Sequence, residues 1–184
     1  MPFPGVTIPG VPPTGKGCLT QVHKVAEGHR LIPEQEPTYL CGVVRTARGD
    51  TKITLGLTSA GPPCDQNPQI VPNGSVLEAA GNTIIRADGF AHFFGQFTIS
   101  DPSGTALLKG VTELIDRIGS HHAPLGTEAC NQEDHFEGWM VAAGSGPLSN
   151  HTLRALIVAR GNLPTGTSPA GVFGSLDGVL IQCT

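Results

Sequence analysis

The sequence predicts an all-β domain closed into a small antiparallel barrel, and three observations favour this fold class. Glycine (25 residues) and proline (16 residues) supply 41 of the 184 residues, and a helix interior disfavours glycine by about 1 kcal/mol and proline by about 3 kcal/mol. Short apolar segments recur at the spacing typical of sandwiches and barrels. Glycines inside these segments, at Gly95, Gly110 and Gly138, predict the bulges or tight bends that let a barrel close.

The composition limits the number of domains and the class of partner. A chain of 184 residues, of which 14% are charged, fits one domain that buries a real core. The net charge is −4, and the basic residues form no cluster, so nucleic-acid binding is disfavoured because it needs an electropositive surface. No apolar run approaches the roughly 20 residues of a membrane-spanning helix, and the N-terminus lacks the pattern of a signal peptide. We therefore expect a soluble protein with neither a nucleic-acid nor a membrane partner.

Residues 1–17 are predicted to form an extended arm that precedes the barrel. They contain five prolines and four glycines in a stretch with almost no charge, which disfavours a helix and suits an extended chain. We expect the arm to lie over the domain or over a neighbouring subunit, where it would support a homo-oligomer. The barrel domain would then span residues 18–184.

The first part of the barrel domain alternates predicted strands with turns. Strands are predicted over residues 18–25, 39–45 and 52–57. A turn is expected at Arg48–Asp50, where glycine follows arginine. A polar loop rich in proline, glycine and asparagine follows over residues 59–75. The part before this loop is too small for a separate core, so we expect one domain.

The clearest strand signal lies in residues 89–99, which have two unequal faces. One face carries Ala91, Phe93, Phe97 and Ile99. The other carries Phe90, His92, Phe94, Gln96 and Thr98. Because side chains alternate along a strand, the pattern separates the two faces but does not fix which of them points inward.

The rest of the chain continues the β pattern. A type I turn is expected at Asp101–Gly104, with proline second and glycine fourth. Residues 153–159 fit either a helix capped by Ser149 or Asn150 or a strand, and their β-branched content favours the strand. Further strands are predicted over residues 106–118, 135–141 and 178–183, with a long loop over 119–134.

One hairpin resembles a known family. The run Gly89-Phe90, Gly95-x-Phe97-x-Ile99-x-Asp101-x-x-Gly104 and then Gly110 is similar to the repeated hairpin of the allene oxide cyclase and dirigent-like β-barrel superfamily, over about residues 85–120. The resemblance implies a barrel of about eight strands with an internal cavity that binds or cyclises an apolar molecule. No catalytic motif of the family is present to carry over.

The cysteines restrict the redox compartment. They are far apart in the chain and include no Cys-x-x-Cys pair, which excludes a zinc ribbon or a thioredoxin-type motif. The five are Cys18, Cys41, Cys64, Cys130 and Cys183. Their odd number leaves at least one thiol unpaired. A reducing compartment, the cytoplasm, is favoured, and the alternative is a secreted protein in which up to four of the cysteines pair.

A run of potential ligands over residues 121–137 is a candidate site for zinc or another first-row transition metal. Imidazole, thiolate and carboxylate groups bind these metals, and the candidate ligands are His121, His122, Cys130 and His135. The run contains neither a His-Glu-x-x-His nor a His-x-His pattern, and adjacent histidines point to opposite faces of a strand. A polar loop with hydrogen-bonded histidines is the alternative interpretation.

A second candidate site follows from the residues that share strand faces. If these faces point into the barrel, they place acids, bases and cations in one cavity, where burial would shift pKa values. The catalytic candidates are His135, Glu137, Glu113 and Arg117. The ligand-binding candidates are His92, Phe94, Gln96, Trp139 and Arg154. The outward orientation is favoured, because ordinary barrels have apolar interiors, and the same residues would then form a solvated surface with cross-strand ion pairs.

Three functional hypotheses remain open. The first is a barrel that binds a small, partly apolar molecule and isomerises or cyclises it. The second is a metal-dependent enzyme that uses the ligands of residues 121–137. The third is a structural or assembly protein with a filled barrel and an arm that reaches a neighbouring subunit.

Overall fold

The chain folds into a closed barrel of eight antiparallel strands, which confirms the predicted fold class. A computed structural model describes residues 19–31, 39–40, 43–44, 47–61, 65–85, 90–117, 133–162 and 170–182. The barrel strands are β1 (Leu19–Leu31), β4 (Ala47–Ser59), β5 (Ser75–Ile85), β6 (Phe90–Ser100), β7 (Ala106–Arg117), β8 (Glu133–Gly144), β9 (His151–Asn162) and β10 (Ala170–Gln182). Two short strands, β2 (Tyr39–Leu40) and β3 (Val43–Val44), pair only with each other.

The barrel closes because β1 pairs with both β4 and β10. Going round the barrel, the order is β1, β10, β9, β8, β7, β6, β5 and β4. Within β4 to β10 each strand is therefore next to its sequence neighbour, and β1 joins β4 to β10. Full closure removes the unpaired edges that an open sheet would present.

Alternate side chains of all eight strands fill the interior. Every strand supplies large apolar or alanine side chains that are almost wholly buried, among them Val22, Leu55, Leu77, Phe97, Leu108, Met140, Leu153 and Leu176. This is the packing of a small barrel, in which eight strands leave an interior just wide enough for side chains. The core is therefore a filled one in the part of the chain that the structure describes.

The first half of the chain departs from the sequence prediction in three places. The segment 39–45 forms the short β2–β3 hairpin instead of a barrel strand. Arg48–Asp50 is not a turn but part of β4, because it pairs with residues 82–84 of β5. The sequence pattern missed β5 altogether, since its small and polar residues carry little strand propensity and its partners on either side hold it in the barrel.

The second half agrees more closely. Strands β6, β7 and β8 match the predicted segments, and residues 153–159 lie in a strand, as favoured, rather than in a helix. The turn at Asp101–Gly104 is present: the Gly104 amide donates to the Asp101 carbonyl at 2.9 Å, and Gly104 has a φ of 88°. Only the last strand is much longer than expected, because β10 begins at Ala170.

The strand glycines allow neighbouring backbones to approach, but they do not form bulges. The pairing runs through Gly95, Gly110 and Gly138 without a change of register, and the irregularity of the β6–β7 pair lies at Ile99/Ser100. A Cβ at Gly138 would come within 1.8 Å of the Glu113 carbonyl oxygen on β7. Such contacts are typical of glycines at tight bends of a strand.

The loop after β4 covers one end of the barrel. Val71 from this loop is buried among the core residues. Asp65, on the same loop, is fully buried and reaches Lys24 inside the barrel, with Nζ 2.5 Å from Oδ2. Lys24 also donates to the Pro68 carbonyl at 3.4 Å. The interior at this end is therefore closed by a buried ion pair.

Several predictions concern residues that the structure does not describe. The predicted arm of residues 1–17 and all five cysteines lie outside the described residues, so the division into arm and barrel domain and the redox state stay predictions. Within the described residues, no helix has the length and apolar character needed to cross a membrane.

Candidate functional site

The structure shows which face of β6 points into the barrel. Phe93, Phe97 and Ile99 point into the core, each at most 5% exposed, whereas Phe94 and Gln96 are exposed. The same alternation continues through β7, β8 and β9. The polar faces that the sequence analysis singled out therefore lie on the outer surface of the barrel and do not line its interior.

Three of the four candidate catalytic residues have described side chains, and these lie on the outer surface. His135 and Glu137 are exposed on β8, and Glu113 is half-buried on β7. The backbone of Arg117 pairs with that of His135, while its side chain lies outside the description. These positions place the candidates on neighbouring strands, and their catalytic roles stay predictions.

The candidate ligand-binding residues lie on the same outer side. Trp139 and Phe94 are 38% and 57% exposed, and Arg154 is also exposed. His92 is half-buried next to Ile115 on β7. A molecule that used these side chains would bind to the outside of the barrel.

The candidate metal ligands are only partly within the description. His121, His122 and Cys130 lie outside the described residues, and His135 is exposed on β8. Among the described residues, no group of three or more histidine, cysteine, aspartate and glutamate side chains is placed to hold a metal ion. The zinc or first-row metal site stays a prediction.

Glu113 joins two of the candidate residues into one hydrogen-bonded group. Nε2 of His92 donates to Oε1 of Glu113 at 2.5 Å, and the indole Nε1–H of Trp139 donates to Oε2 at 3.0 Å. The backbone explains the contact with Trp139, because Glu113 pairs with Trp139 across β7 and β8. One carboxylate therefore holds an imidazole and the chain's single tryptophan in place on the barrel surface.

Large apolar side chains surround this group. In the part of the chain that the structure describes, ten large apolar residues are exposed, and eight of them lie on β5 to β9. We call these eight residues the apolar face: Ile84, Phe94, Val111, Ile115, Trp139, Val141, Leu156 and Val158. Trp139 pairs with Leu156, the most exposed of them at 60%, and these two residues form the centre of the face.

The far side of the barrel has a different chemistry. Strand β4 lies four places from β8 round the barrel, and its outward positions Lys52, Thr54 and Thr58 are polar. The outward positions of β1 include Gln21 and Glu27. The outer surface is therefore polarised, with one apolar and one polar side.

Charged and polar groups lie within the apolar face and beside it. Glu137 lies beside Val158, and Arg154 lies beside Val141, at opposite ends of the Trp139–Leu156 pair along the strands. On β10, Asp177 accepts from the Ser175 hydroxyl at 3.0 Å and contacts the imidazole of His23. Glu113 pairs with Phe94 and Trp139, and Glu137 pairs with Ile115 and Val158, so charged groups stand between the apolar side chains of the face.

The interior offers little room by comparison. Near one end, Arg30 lies over the ring of Phe136, with 5.3 Å to the centroid, and the Thr51 and Thr83 hydroxyls are hydrogen-bonded at 2.6 Å. The cavity between these side chains measures about 10 Å³. That volume is at the lower limit for one water molecule, whereas sites for small molecules measure roughly 300–1,000 Å³.

A larger depression lies on the outside of β4 to β7. Its volume is about 640 Å³. The outward side chains that line it are Lys52, Thr54, Glu78, Ala80, Gln96, Thr98, Lys109 and Val111. It touches the apolar face only at Val111, so the depression and the Glu113 group are separate features.

Two features were not predicted from the sequence: the most exposed part of the apolar face and the buried ion pair. Leu156 and Val158 stand in the run Leu153–Ala159, which is apolar at outward as well as inward positions, apart from Arg154. That absence of alternation was the available signal, because a strand with one solvated face alternates. No local pattern marks Lys24 and Asp65, since burial of this pair depends on the loop that covers the barrel end.

Comparison of the chain with family models, with curated proteins and with solved structures finds no match. The resemblance to the allene oxide cyclase and dirigent-like superfamily therefore stays a prediction from one hairpin.

Proposed function

We propose that this protein is an assembly module whose filled barrel associates with further copies of itself through the apolar face. The observation that carries the proposal is the exposure of eight large apolar side chains on neighbouring strands. This is the third of the hypotheses that the sequence left open.

The size of the face supports the proposal. A strand spacing of about 4.8 Å and a two-residue repeat of about 6.8 Å give each outward position roughly 30 Å² of sheet area. Eight apolar positions then cover roughly 250 Å² in projection, and their projecting side chains expose more. The largest apolar patches on typical monomers measure roughly 300–600 Å² and often mark interaction sites. In this face, Glu113 and Glu137 stand among the apolar positions.

The residues at the centre of the apolar face also support self-association. Tryptophan is enriched among the residues that dominate binding energy at interfaces, and Trp139 stands in the middle of the face beside Leu156. The hydrogen bond from its indole to Glu113 fixes the ring before any partner arrives. A side chain that is already ordered loses less conformational entropy on binding.

The test is the mass in solution of the wild-type chain and of the variant Leu156→Glu, measured by sedimentation equilibrium. We expect wild type at a multiple of the 19.1 kDa chain mass and the variant at a single chain mass, because the new carboxylate would have to be buried without a partner. The exposure of Leu156 allows the substitution without disturbing the core.

Thr58→Glu is the matched control. Thr58 is exposed on β4, on the polar side of the barrel, and this variant is expected to keep the wild-type mass. A monomeric wild-type protein, or a Leu156→Glu variant with the same mass as wild type, would contradict the proposal.

A second candidate function is binding of a small molecule on the outside of β4 to β7. One observation favours it: the depression of about 640 Å³ has the size of a ligand site and combines Lys52, Lys109 and Gln96 with an apolar floor at Ala80 and Val111. Native mass spectrometry of purified protein would show a retained molecule, which is expected to be lost in Lys52→Ala/Lys109→Ala. Retention by that variant, or none by wild type, argues against this function.

A further inference from the structure

The apolar face has the chemistry that binds proline-rich segments. Such segments bind surfaces lined by aromatic side chains. They lose little conformational entropy on binding, because a polyproline II helix is already ordered before it binds. Trp139 and Phe94 flank Glu113 on neighbouring strands, and aliphatic side chains surround them. Both rings are partly exposed, so an extended segment has access to them.

Residues 1–17 of the chain have the complementary composition. They hold five prolines, and Lys16 is their only charged side chain. Its large apolar side chains include Phe3, Val6 and Ile8. This segment therefore has apolar side chains to bury, and the apolar face is a surface that fits them.

The length of the segment allows it to reach the face of another copy. Leu19 pairs with Ile181, and Ile181 pairs with Thr152 on β9. From these registers, Leu156 lies roughly 17 Å and Trp139 roughly 20 Å from Leu19 across the barrel surface. An extended segment places Ile8 about 34 Å and Phe3 about 50 Å from Leu19. The apolar end of the segment is therefore long enough to extend beyond the centre of its own face to the face of a neighbouring copy.

We propose that residues 1–17 of one copy pack on the apolar face of a neighbouring copy, with Phe3 and Ile8 against the surface around Trp139 and Leu156. This inference rests on the proposed self-association and names the part of the second copy that occupies the face.

The single tryptophan makes the contact measurable in the full-length protein. The variant Phe3→Ser/Ile8→Ser removes two apolar side chains of the segment, and Thr7→Ala/Thr14→Ala is the matched control in the same segment. The measurements are the mass by sedimentation equilibrium and the quenching of Trp139 fluorescence by acrylamide. We expect the first variant to have a single chain mass and at least twofold stronger quenching, and the control to match wild type.

A synthetic peptide of residues 1–17 provides a second measurement. Added to the Phe3→Ser/Ile8→Ser variant, it is expected to restore the protection of Trp139 in a saturable way. The same peptide with serine at positions 3 and 8 is expected to leave the quenching unchanged. A wild-type peptide without effect would contradict the contact, even if the variant chain folded poorly.

The remaining outcomes separate the two proposals. If Phe3→Ser/Ile8→Ser keeps the wild-type mass and quenching while Leu156→Glu is monomeric, the copies pack face to face, and only the inference about the segment is overturned. If wild type is monomeric but its Trp139 becomes more accessible in Phe3→Ser/Ile8→Ser, the segment covers its own barrel, which overturns both. If neither variant changes the mass, both proposals fail as well.

Discussion

Lys24 and Asp65 form an ion pair that is wholly excluded from solvent inside one end of the barrel, with Nζ 2.5 Å from Oδ2. Lys24 extends from β1 into the interior, and Asp65 reaches it from the loop that follows β4. The charges are therefore matched across two distant parts of the chain. The pair fixes the loop over the barrel end, because moving the loop would separate the charges in an apolar surrounding.

Removing one partner of this pair should destabilise the protein strongly. We expect Lys24→Met to lower the free energy of unfolding by about 3–5 kcal/mol, because the Asp65 carboxylate would remain buried without its counter-charge. Urea unfolding followed by circular dichroism measures the change. The control is Lys52→Met on the exposed side of β4, where a change within about 0.5 kcal/mol is expected.

The double variant Lys24→Met/Asp65→Leu sharpens this prediction. It replaces both charges with apolar groups of similar size, so much of the lost stability should return. A double variant that is less stable than Lys24→Met would mean that the loss comes from packing and not from an unpaired charge.

Gly138→Ala should destabilise the barrel because the new Cβ would meet the backbone of β7. The nearest atom, the Glu113 carbonyl oxygen, lies 1.8 Å from the position of that Cβ, and backbone cannot move aside as a side chain can. We expect a loss of about 1–3 kcal/mol or more in the free energy of unfolding, measured by chemical denaturation. Gly171→Ala is the matched control, since its Cβ would have no atom within 4 Å; equal effects of the two substitutions would contradict the steric explanation.

Asp101 should make the stability depend on pH in the acid range. The hydroxyl of Ser103, and then the backbone amides around it, donate hydrogen bonds to this carboxylate and hold its pKa below the ordinary value. Because the pKa is lowered in the folded state, the carboxylate stabilises the fold above its unfolded pKa, and this contribution is lost as the pH falls through the folded pKa. Stability should therefore fall on acidification.

The comparison with Asp101→Asn isolates this contribution. We expect the difference in unfolding free energy between wild type and variant to be larger at pH 7 than at about pH 3. A titration of the Asp101 carboxyl by NMR should place its midpoint below that of an unfolded peptide. A midpoint at or above the peptide value would contradict the hydrogen-bonding explanation.

The fold was predictable from the sequence where pattern and pairing agree. In β6, bulky apolar residues alternate with polar ones, and the turn from Asp101 to Gly104 follows directly, so strand and turn were both predicted. In β5 and at Arg48–Asp50 the local signal is weak, and ladder hydrogen bonds to neighbouring strands decide the structure. Such pairing depends on residues distant in sequence, which period-two patterns do not contain.

The residues of the candidate site were predictable, and their location outside the barrel was favoured from the sequence but not decided by it. His92, Glu113 and Trp139 were singled out from shared strand faces, and the structure brings them into one hydrogen-bonded group. Their position outside the barrel follows from the larger burial of Phe93 and Phe97 on the opposite face. Two faces that both carry phenylalanine leave that choice open until the whole barrel is closed.

Glu113→Ala should change the surroundings of Trp139 while leaving the fold nearly as stable. The substitution removes the acceptor of the indole hydrogen bond and of the His92 contact, so the ring loses its fixed orientation. A partly exposed pair of this kind contributes about 0–1 kcal/mol, which limits the expected loss in the free energy of unfolding. Because an ordered tryptophan costs less entropy to bury, the loss of this order should weaken self-association at the same time.

Fluorescence quenching of Trp139 and sedimentation equilibrium measure the two effects. The control is Glu137→Ala, which removes an exposed acid on the next strand of the same face. If Glu137→Ala changes quenching and mass as much as Glu113→Ala does, the general loss of negative charge is responsible, and Glu113 does not position the tryptophan.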